Sequence, residues 1–160
     1  MTTVPAEDAA RAKGPLSRLT LEYSYVMKGL VEKAKEPGFT AADWAPLAEL
    51  VAVGEFERVG SFTERVNWAQ YADLLTMWAR AAVWDFRVRR VTEGDGYAIL
   101  ELEERAKYRD RFETYRSVSV YEFDSARKLR RLELYLSKAE APDAARSYSW
   151  DWSEVSAELL

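Results

Sequence analysis

The chain has 160 residues, of which 48% are hydrophobic and 31% are charged, and this balance indicates one globular domain rather than a disordered chain. A formal net charge of −4 argues against nucleic-acid binding, and no apolar run reaches the roughly 18 residues of a membrane-spanning helix. With no Cys there are no disulfides, and the expected location is cytoplasmic.

The sequence contains no His, and this restricts the chemistry open to the protein. The usual general acid or base near neutral pH is missing, and so are the Ser-His and Cys-His nucleophile pairs. Zinc sites built from His and Cys are excluded, which leaves only all-carboxylate sites for hard cations. We therefore expect neither a metal nor another cofactor, and any catalysis must use Asp, Glu, Tyr, Lys, Arg and water.

The first half of the chain is predicted to be mainly helical. The leader MTTVPAEDAARAKGP, residues 1–15, is expected to be disordered and is not a secretory signal, because no apolar stretch follows its first charges. A helix is predicted from about Ser17 to Lys35, where apolar residues recur at helical spacing. A short second helix follows, with Asp43 as its expected N-cap.

A short strand is predicted around Phe56 and Arg58, before a third helix. That helix has a clear start, because Asn67 can cap it and Gln70 lies at the capping-box position. Its apolar stripe, with a period near 3.6 residues, consists of Trp68, Tyr71, Leu75, Trp78 and Ala82.

Residues 83–138 alternate apolar and polar side chains with the period of two that is typical of strands. Three polar turns divide them into long antiparallel strands: Glu93-Gly94-Asp95-Gly96, Arg109-Asp110-Arg111 and Asp124-Ser125-Ala126-Arg127. Because the helices come first and the strands follow, the predicted class is α+β. We divide the chain into the leader 1–15, a domain over 16–138 and a tail over 139–160, whose YSWDW cluster is expected to dock on this chain or on a partner.

This order of elements resembles the nuclear transport factor 2-like superfamily and its SnoaL-like group. The stretch SVSVYEFDSARKLRRLELYL carries the resemblance best, since it is similar to the family's last hairpin, a V-x-V-x-x-F-D strand followed by a basic turn and L-x-x-L-x-x-Y. The resemblance implies a cone-shaped, strongly curved antiparallel sheet with N-terminal helices packed on its concave face. The open end of such a cone admits a ligand.

The family includes ketosteroid isomerases, scytalone-type dehydratases, limonene-type epoxide hydrolases, polyketide cyclases and proteins without enzymatic activity, so the fold alone does not give the function. Aligned on EFD, the inner acid of the ketosteroid isomerases corresponds to Ser119, and their catalytic base falls near Arg58. The dehydratases rely on His, and the epoxide hydrolases on an Asp-Arg-Asp set that is missing here. These known mechanisms are therefore not expected.

The resemblance makes Arg58, Tyr23, Tyr115 and Ser119 the candidate catalytic residues. In the aligned register Arg58 lies at the mouth of an apolar pocket, where it would hold an anionic group or stabilise charge on an oxygen. The hydroxyls would hydrogen-bond a ligand carbonyl or phenol. In the alternative interpretation, Arg58 is an exposed strand residue paired with Glu55 or Glu57, and the hydroxyl-bearing residues are ordinary packing residues.

The candidate substrate-binding residues share the inner face of a strand or the apolar stripe of the third helix. They are Phe56, Trp68, Trp78, Trp84, Phe86, Ser117 and Tyr121. The cluster Glu101-Glu103-Glu104 either contains a general base whose pKa is raised by burial or is a solvated strand end.

These observations favour a small-molecule-binding SnoaL-like protein, as a cofactor-independent lyase, isomerase or cyclase with an apolar aromatic or polyketide-like substrate. The alternative is a non-catalytic ligand-binding or assembly module, or an accessory subunit of a larger enzyme. The expected partners are a small apolar organic molecule and a second copy of the chain. A homodimer through the sheet is expected because the outer face carries Val118, Val120 and Tyr135 among charges. No nucleic-acid or membrane partner is expected.

Overall fold

A computed structural model of the chain describes residues 3–60, 62–108 and 110–138. Its elements, in chain order, are α1 (Ala6–Ala9), α2 (Pro15–Lys33), a 3₁₀ turn (Ala41–Trp44), α3 (Ala45–Ala48), β1 (Glu57–Val59), β2 (Arg65–Val66), α4 (Trp68–Ala81), β3 (Ala82–Gly94), β4 (Tyr97–Tyr108), β5 (Arg111–Phe123) and β6 (Leu129–Lys138). The predicted α+β class is confirmed. No helix in the described residues is both long and apolar enough to span a membrane. The predicted tail and its YSWDW cluster lie outside the described residues.

The six strands form one open, curved sheet in the order β2-β1-β6-β5-β4-β3. The four long strands pair with one another in antiparallel fashion, as the sequence predicts. The short strand β1 joins β6 in parallel, so a segment from the first half of the chain becomes part of the sheet. Helices α2 and α4 contact the sheet and close over its concave face.

Alternation decides which strand residues face the helices. In β3, Trp84, Phe86 and Val88 are buried, while the residues between them are exposed. A bulge between Val88 and Arg90 inserts an additional residue, and the next buried position is therefore Val91. The bulge keeps both halves of β3 turned toward the same core.

Helix α4 begins where its capping pattern predicts. The Asn67 side chain accepts a hydrogen bond from the backbone N–H of Gln70 at 2.9 Å, and the Asn67 N–H donates to Gln70 Oε1 at 3.0 Å. These reciprocal bonds satisfy two N–H groups that the helix itself leaves without partners. Tyr71 and Leu75 are buried in the core, as expected from the apolar stripe, whereas Trp68 and Trp78 are only half-buried.

Helix α2 is capped from the sheet. Glu93 of β3 accepts hydrogen bonds from the backbone N–H groups of Leu16 at 3.2 Å and Ser17 at 2.9 Å, and from the Ser17 hydroxyl at 2.8 Å. Desolvation acts to raise the pKa of Glu93, but these hydrogen bonds hold it below its usual value. A Cβ atom at Gly14 would lie 2.5 Å from Glu93 Oε2, so a larger residue there would displace the capping carboxylate.

Three local features differ from the sequence-based expectations. The leader, predicted to be disordered, contains α1, which is held against α2 because Asp8 accepts a hydrogen bond from the Tyr25 hydroxyl. Thr40 rather than Asp43 precedes the second helical segment, since the Asp43 carboxylate reaches back to the Thr40 N–H at 2.8 Å. Strand β2, which the sequence analysis does not predict, is too short at two residues to show an alternation.

The indole of Trp44 is fully buried in the core. Its Nε1–H donates to Thr76 Oγ1 at 2.9 Å, and the Thr76 hydroxyl donates to the Ala72 carbonyl at 2.7 Å. All the polar atoms of this pair of side chains are thus satisfied inside the protein. Trp44 is therefore a structural residue of the core.

Candidate functional site

A cavity of about 340 Å³ lies between the concave face of the sheet and helices α2 and α4. Its lining is mostly aromatic and aliphatic, with a few polar groups directed at the same space. A concave apolar lining with few polar groups is typical of sites for small organic molecules. The curvature of the sheet creates this space, because helices that close over a curved sheet leave room beneath them.

Three buried tyrosines form the closed end of the cavity: Tyr23 of α2, Tyr71 of α4 and Tyr121 of β5. The Tyr23 and Tyr121 rings meet edge to face, with centroids 5.7 Å apart. The Tyr121 hydroxyl lies 3.5 Å from Ser24 Oγ, whereas the Tyr23 hydroxyl has no hydrogen-bond partner among the described residues.

The unpartnered Tyr23 hydroxyl is a hydrogen-bond donor at any working pH. Burial raises the pKa of Tyr23 well above its ordinary value, and Tyr71 and Tyr121 raise it further. The Tyr71 hydroxyl is close enough to raise the pKa of Tyr23, but the two hydroxyls do not meet the geometry of a hydrogen bond. A buried hydroxyl without a partner is unfavourable, and an acceptor on a ligand would satisfy it.

Arg58 of β1 borders the same end of the cavity, and its side chain is 18% exposed. Its guanidinium carbon lies 5.2 Å from the centroid of the Tyr71 ring, and its Nη1 lies 3.8 Å from Glu64 Oε1. Burial raises the pKa of Tyr71, and the Arg58 charge opposes that rise. Among the described residues the ion-pair partner of Arg58 is Glu64, not Glu55 or Glu57 as in the alternative interpretation. Glu57 instead pairs with Arg65 at 2.8 Å and Arg131 at 2.6 Å.

Glu104 of β4 lines the cavity, and in the sequence it belongs to the acidic cluster Glu101-Glu103-Glu104. Alternation divides that cluster between the two faces of the sheet. Glu103 pairs with Arg89 at 2.6 Å and Glu101 pairs with Arg90, both on the outer face. Glu104 faces inward, and the pattern that could have identified it is its even spacing from the buried residues of the same strand, Leu100 and Leu102.

Two neighbouring strands hold the Glu104 carboxylate in place. The Trp84 Nε1–H of β3 donates to Oε2 at 2.9 Å, and the Ser117 hydroxyl of β5 donates to Oε1. Each carboxylate oxygen thus has one donor and keeps capacity to accept another hydrogen bond. The carboxylate is therefore oriented by the sheet and available to a ligand or a proton.

The cavity opens beside Leu74 of α4 and Leu136 of β6, which are 46% and 42% exposed. Trp78 also lines this region and contacts the Trp84 ring edge to face, at 6.1 Å between centroids. Leu136 pairs with Ser117 across β5 and β6, and Ser117 donates to Glu104, so the carboxylate belongs to the open side of the cavity. The tyrosines lie at the closed side.

All four candidate catalytic residues line this cavity: Arg58, Tyr23, Tyr115 and Ser119. Among the candidate substrate-binding residues, the structure also places Trp78, Trp84 and Tyr121 in the lining.

The other four candidates are outside the lining. Phe56 and Trp68 pack against each other and against Tyr71, and Phe86 packs against Tyr25 at 5.0 Å, so these rings form a layer behind the wall. Ser117 donates to Glu104 and positions it.

Searches against protein-family models and curated proteins return no match to this sequence. Solved structures do match. A provisionally named SnoaL-like polyketide cyclase from Shewanella putrefaciens has a TM-score of 0.61 at 10% identity, over 85% of this chain and 90% of that chain. An NTF2-like protein of unknown function from Cytophaga hutchinsonii has a TM-score of 0.55 at 11% identity, over 79% and 94%.

An LEH-like epoxide hydrolase from M. tuberculosis matches with a TM-score of 0.52 at 11% identity, over 69% of this chain and 83% of that chain. The names of these structures cover different activities, and identities this low establish the fold alone. The chain therefore shares its fold with nuclear transport factor 2-like and SnoaL-like proteins.

Proposed function

We propose that the cavity binds a small, largely apolar organic molecule and that the protein is a cofactor-independent lyase, isomerase or cyclase acting on an aromatic or polyketide-like substrate. The observation that carries the proposal is the convergence on one apolar cavity of a guanidinium, an unpartnered phenol and an oriented carboxylate, from Arg58, Tyr23 and Glu104. The SnoaL-like polyketide cyclase fold of a similar structure supports it by analogy.

The size of the cavity limits the substrate. The cavity volume of about 340 Å³ is near the lower limit of the roughly 300–1,000 Å³ that small-molecule pockets usually have. This corresponds to a substituted molecule of about two or three fused rings. The aromatic side chains of Trp78 and Trp84 offer faces and edges for such rings.

The proposed chemistry is proton transfer next to a carbonyl group. Glu104 accepts the proton from carbon, and the electron pair of the C–H bond moves onto the carbonyl oxygen as an enolate. The charge of Arg58 and a hydrogen bond from Tyr23 stabilise that oxygen. Returning the proton to another carbon gives isomerisation, loss of a leaving group gives elimination, and attack on a second carbonyl gives cyclisation. Arg58 stays protonated and does not act as the base.

Ligand binding in the cavity is tested by a mutation on β6 that introduces a larger side chain into the cavity. We expect Leu134→Trp, on the cavity wall, to weaken binding of the probe 2-naphthol by at least about tenfold in isothermal titration calorimetry, because the new indole occupies the space of the ligand. Tyr135→Trp changes the next residue, on the outer face, and serves as the matched control. Equal binding by both variants would place the ligand elsewhere.

The catalytic part is tested without knowledge of the natural substrate. The probe 2-tetralone carries acidic C–H groups next to a carbonyl, and NMR in D₂O follows their exchange for deuterium. We expect the protein to accelerate exchange about 100-fold or more over a Glu104→Gln variant, the range for a positioned general base. Glu103→Gln, on the outer face, is the control and keeps the rate. Binding of 2-tetralone without acceleration would favour the non-catalytic alternative, a ligand-binding, assembly or accessory module.

A further inference from the structure

The two ends of the cavity differ in what they offer a ligand. At the closed end, Tyr23 presents a buried O–H without a partner, and Arg58 presents a cation that is 18% exposed. Both are hydrogen-bond donors. This end therefore suits an oxygen that accepts hydrogen bonds, such as a carbonyl, phenolate or carboxylate.

The open end offers the opposite chemistry. Glu104 is an acceptor, and its two oxygens already receive hydrogen bonds from Trp84 and Ser117, which fix the plane of the carboxylate. The remaining acceptor capacity faces the cavity and suits an O–H or N–H group. Tyr115, directly across from Glu104 on the neighbouring strand, lines the same end.

The strand register keeps the two ends apart. Arg58 pairs with Leu132, and Leu132 pairs with Tyr121, so these residues form one row across the sheet. Glu104 pairs with Tyr115, which lies six positions from Tyr121 on β5. Six residues of an extended strand separate these rows by about 20 Å at the backbone. The side chains extend toward each other across the cavity, because the Glu104 charge still acts to raise the pKa of Tyr71 and Tyr121, so one small ligand can reach both ends. Consistent with this separation, Arg58 and Glu104 form no ion pair with each other within the described part of the chain.

We infer that the cavity selects an elongated molecule with two polar ends: an acceptor oxygen that enters first, toward Tyr23 and Arg58, and a hydroxyl or amine that stays at the mouth beside Glu104. A hydroxylated aromatic ketone or acid has this chemistry. The inference rests on the proposed binding function and adds the polarity and orientation of the ligand. Glu104 then determines specificity in addition to its proposed role with protons.

Four probes of similar shape test the inference by isothermal titration calorimetry: naphthalene, 2-naphthol, 2-naphthoate and 6-hydroxy-2-naphthoate. The last carries its two polar groups at opposite ends. On the unaltered protein, we expect 6-hydroxy-2-naphthoate to bind about tenfold or more tightly than 2-naphthoate, as for a hydrogen bond to a charged group. This comparison requires no mutation.

Variants then assign each polar group to an end. In Glu104→Gln, the hydroxyl of the probe no longer increases the affinity, while the carboxylate still does. In Arg58→Gln, the carboxylate no longer increases the affinity, while the hydroxyl still does. Glu103→Gln and Arg65→Gln, outside the cavity lining, leave both gains unchanged. Circular dichroism verifies that each variant is folded.

The outcomes separate the inference from the proposed function. Equal affinity for naphthalene and all its derivatives overturns the inference and leaves an apolar binding site. A hydroxyl gain that survives Glu104→Gln overturns the inference as well. Failure of all four probes to bind overturns both the inference and the proposed binding function.

Discussion

Two tryptophans show how position decides the role of a residue. Trp44 is fully buried with its indole N–H satisfied, whereas Trp78 is half-buried and lines the cavity. We expect Trp44→Ala to lower the free energy of unfolding by about 3–5 kcal/mol, because it leaves a cavity in the core. Trp78→Ala costs less stability but weakens binding of 2-naphthol. Urea denaturation followed by circular dichroism measures the first effect, and equal losses in both variants would contradict this distinction.

Arg58 is the second residue with a testable role. Its guanidinium is at the cavity, and Arg65 on the adjacent strand pairs with Glu57 at 2.8 Å instead. If Arg58 stabilises charge on a ligand oxygen, Arg58→Ala lowers the rate of 2-tetralone exchange about 100-fold while the fold remains intact. Arg65→Ala is the control. An exchange rate that is the same in both variants would exclude the role proposed for Arg58.

At the scale of elements, one carboxylate of β3 makes the hydrogen bonds that hold the start of α2. Glu93 caps α2, and because its pKa is lowered in the folded state, its contribution to stability is present above about pH 4.3, the ordinary pKa of an unfolded Glu. That contribution is lost as the pH falls through the lower folded pKa.

We therefore expect Glu93→Gln to lower the free energy of unfolding by about 1 kcal/mol at pH 7, the range of a helix cap. The difference between variant and wild type shrinks as the pH falls below about 4. Urea titrations at several pH values measure it, with Glu22→Gln, exposed on the same helix, as the control. A difference independent of pH would mean that the charge of Glu93 does not contribute.

At the scale of the whole molecule, the outer face of the sheet carries a cluster of apolar residues among charged ones. Val118 pairs with Tyr135 across β5 and β6, Val120 pairs with Ile99 across β5 and β4, and Val118 and Tyr135 are exposed. A patch of this kind on a sheet face is typical of an interface. The homodimer expected from the sequence remains a prediction, and the patch is where we expect it to form.

Light scattering at micromolar concentration tests the dimer, with an expected mass of twice the 18.4 kDa of one chain. Val118→Arg places a charge in the patch and shifts the mass toward one chain. Val53→Arg, at an exposed site before β1, keeps the dimer mass. A wild-type mass of one chain would reject the prediction.

Local patterns determined much of the fold. The capping pair Asn67 and Gln70, the turn at Asp95-Gly96 and the period-two alternation of the second half correctly predict α4 and the long antiparallel strands. These features depend on residues close in sequence, and this is why they are readable without a structure. The resemblance in the last hairpin then indicated the curved sheet.

The site itself depended on tertiary structure. Arg58 reaches the cavity because β1 pairs in parallel with β6, a contact between distant segments that no local pattern encodes. The even spacing of Glu104 from Leu100 and Leu102 places it on their face of β4, but only the structure shows that this face borders the cavity. The sequence by itself determined an α+β chain with strands of defined alternation. The pairing of distant strands and the closure of two helices over a curved sheet decided which charges face the cavity, because residues far apart in sequence share a site only when the chain folds.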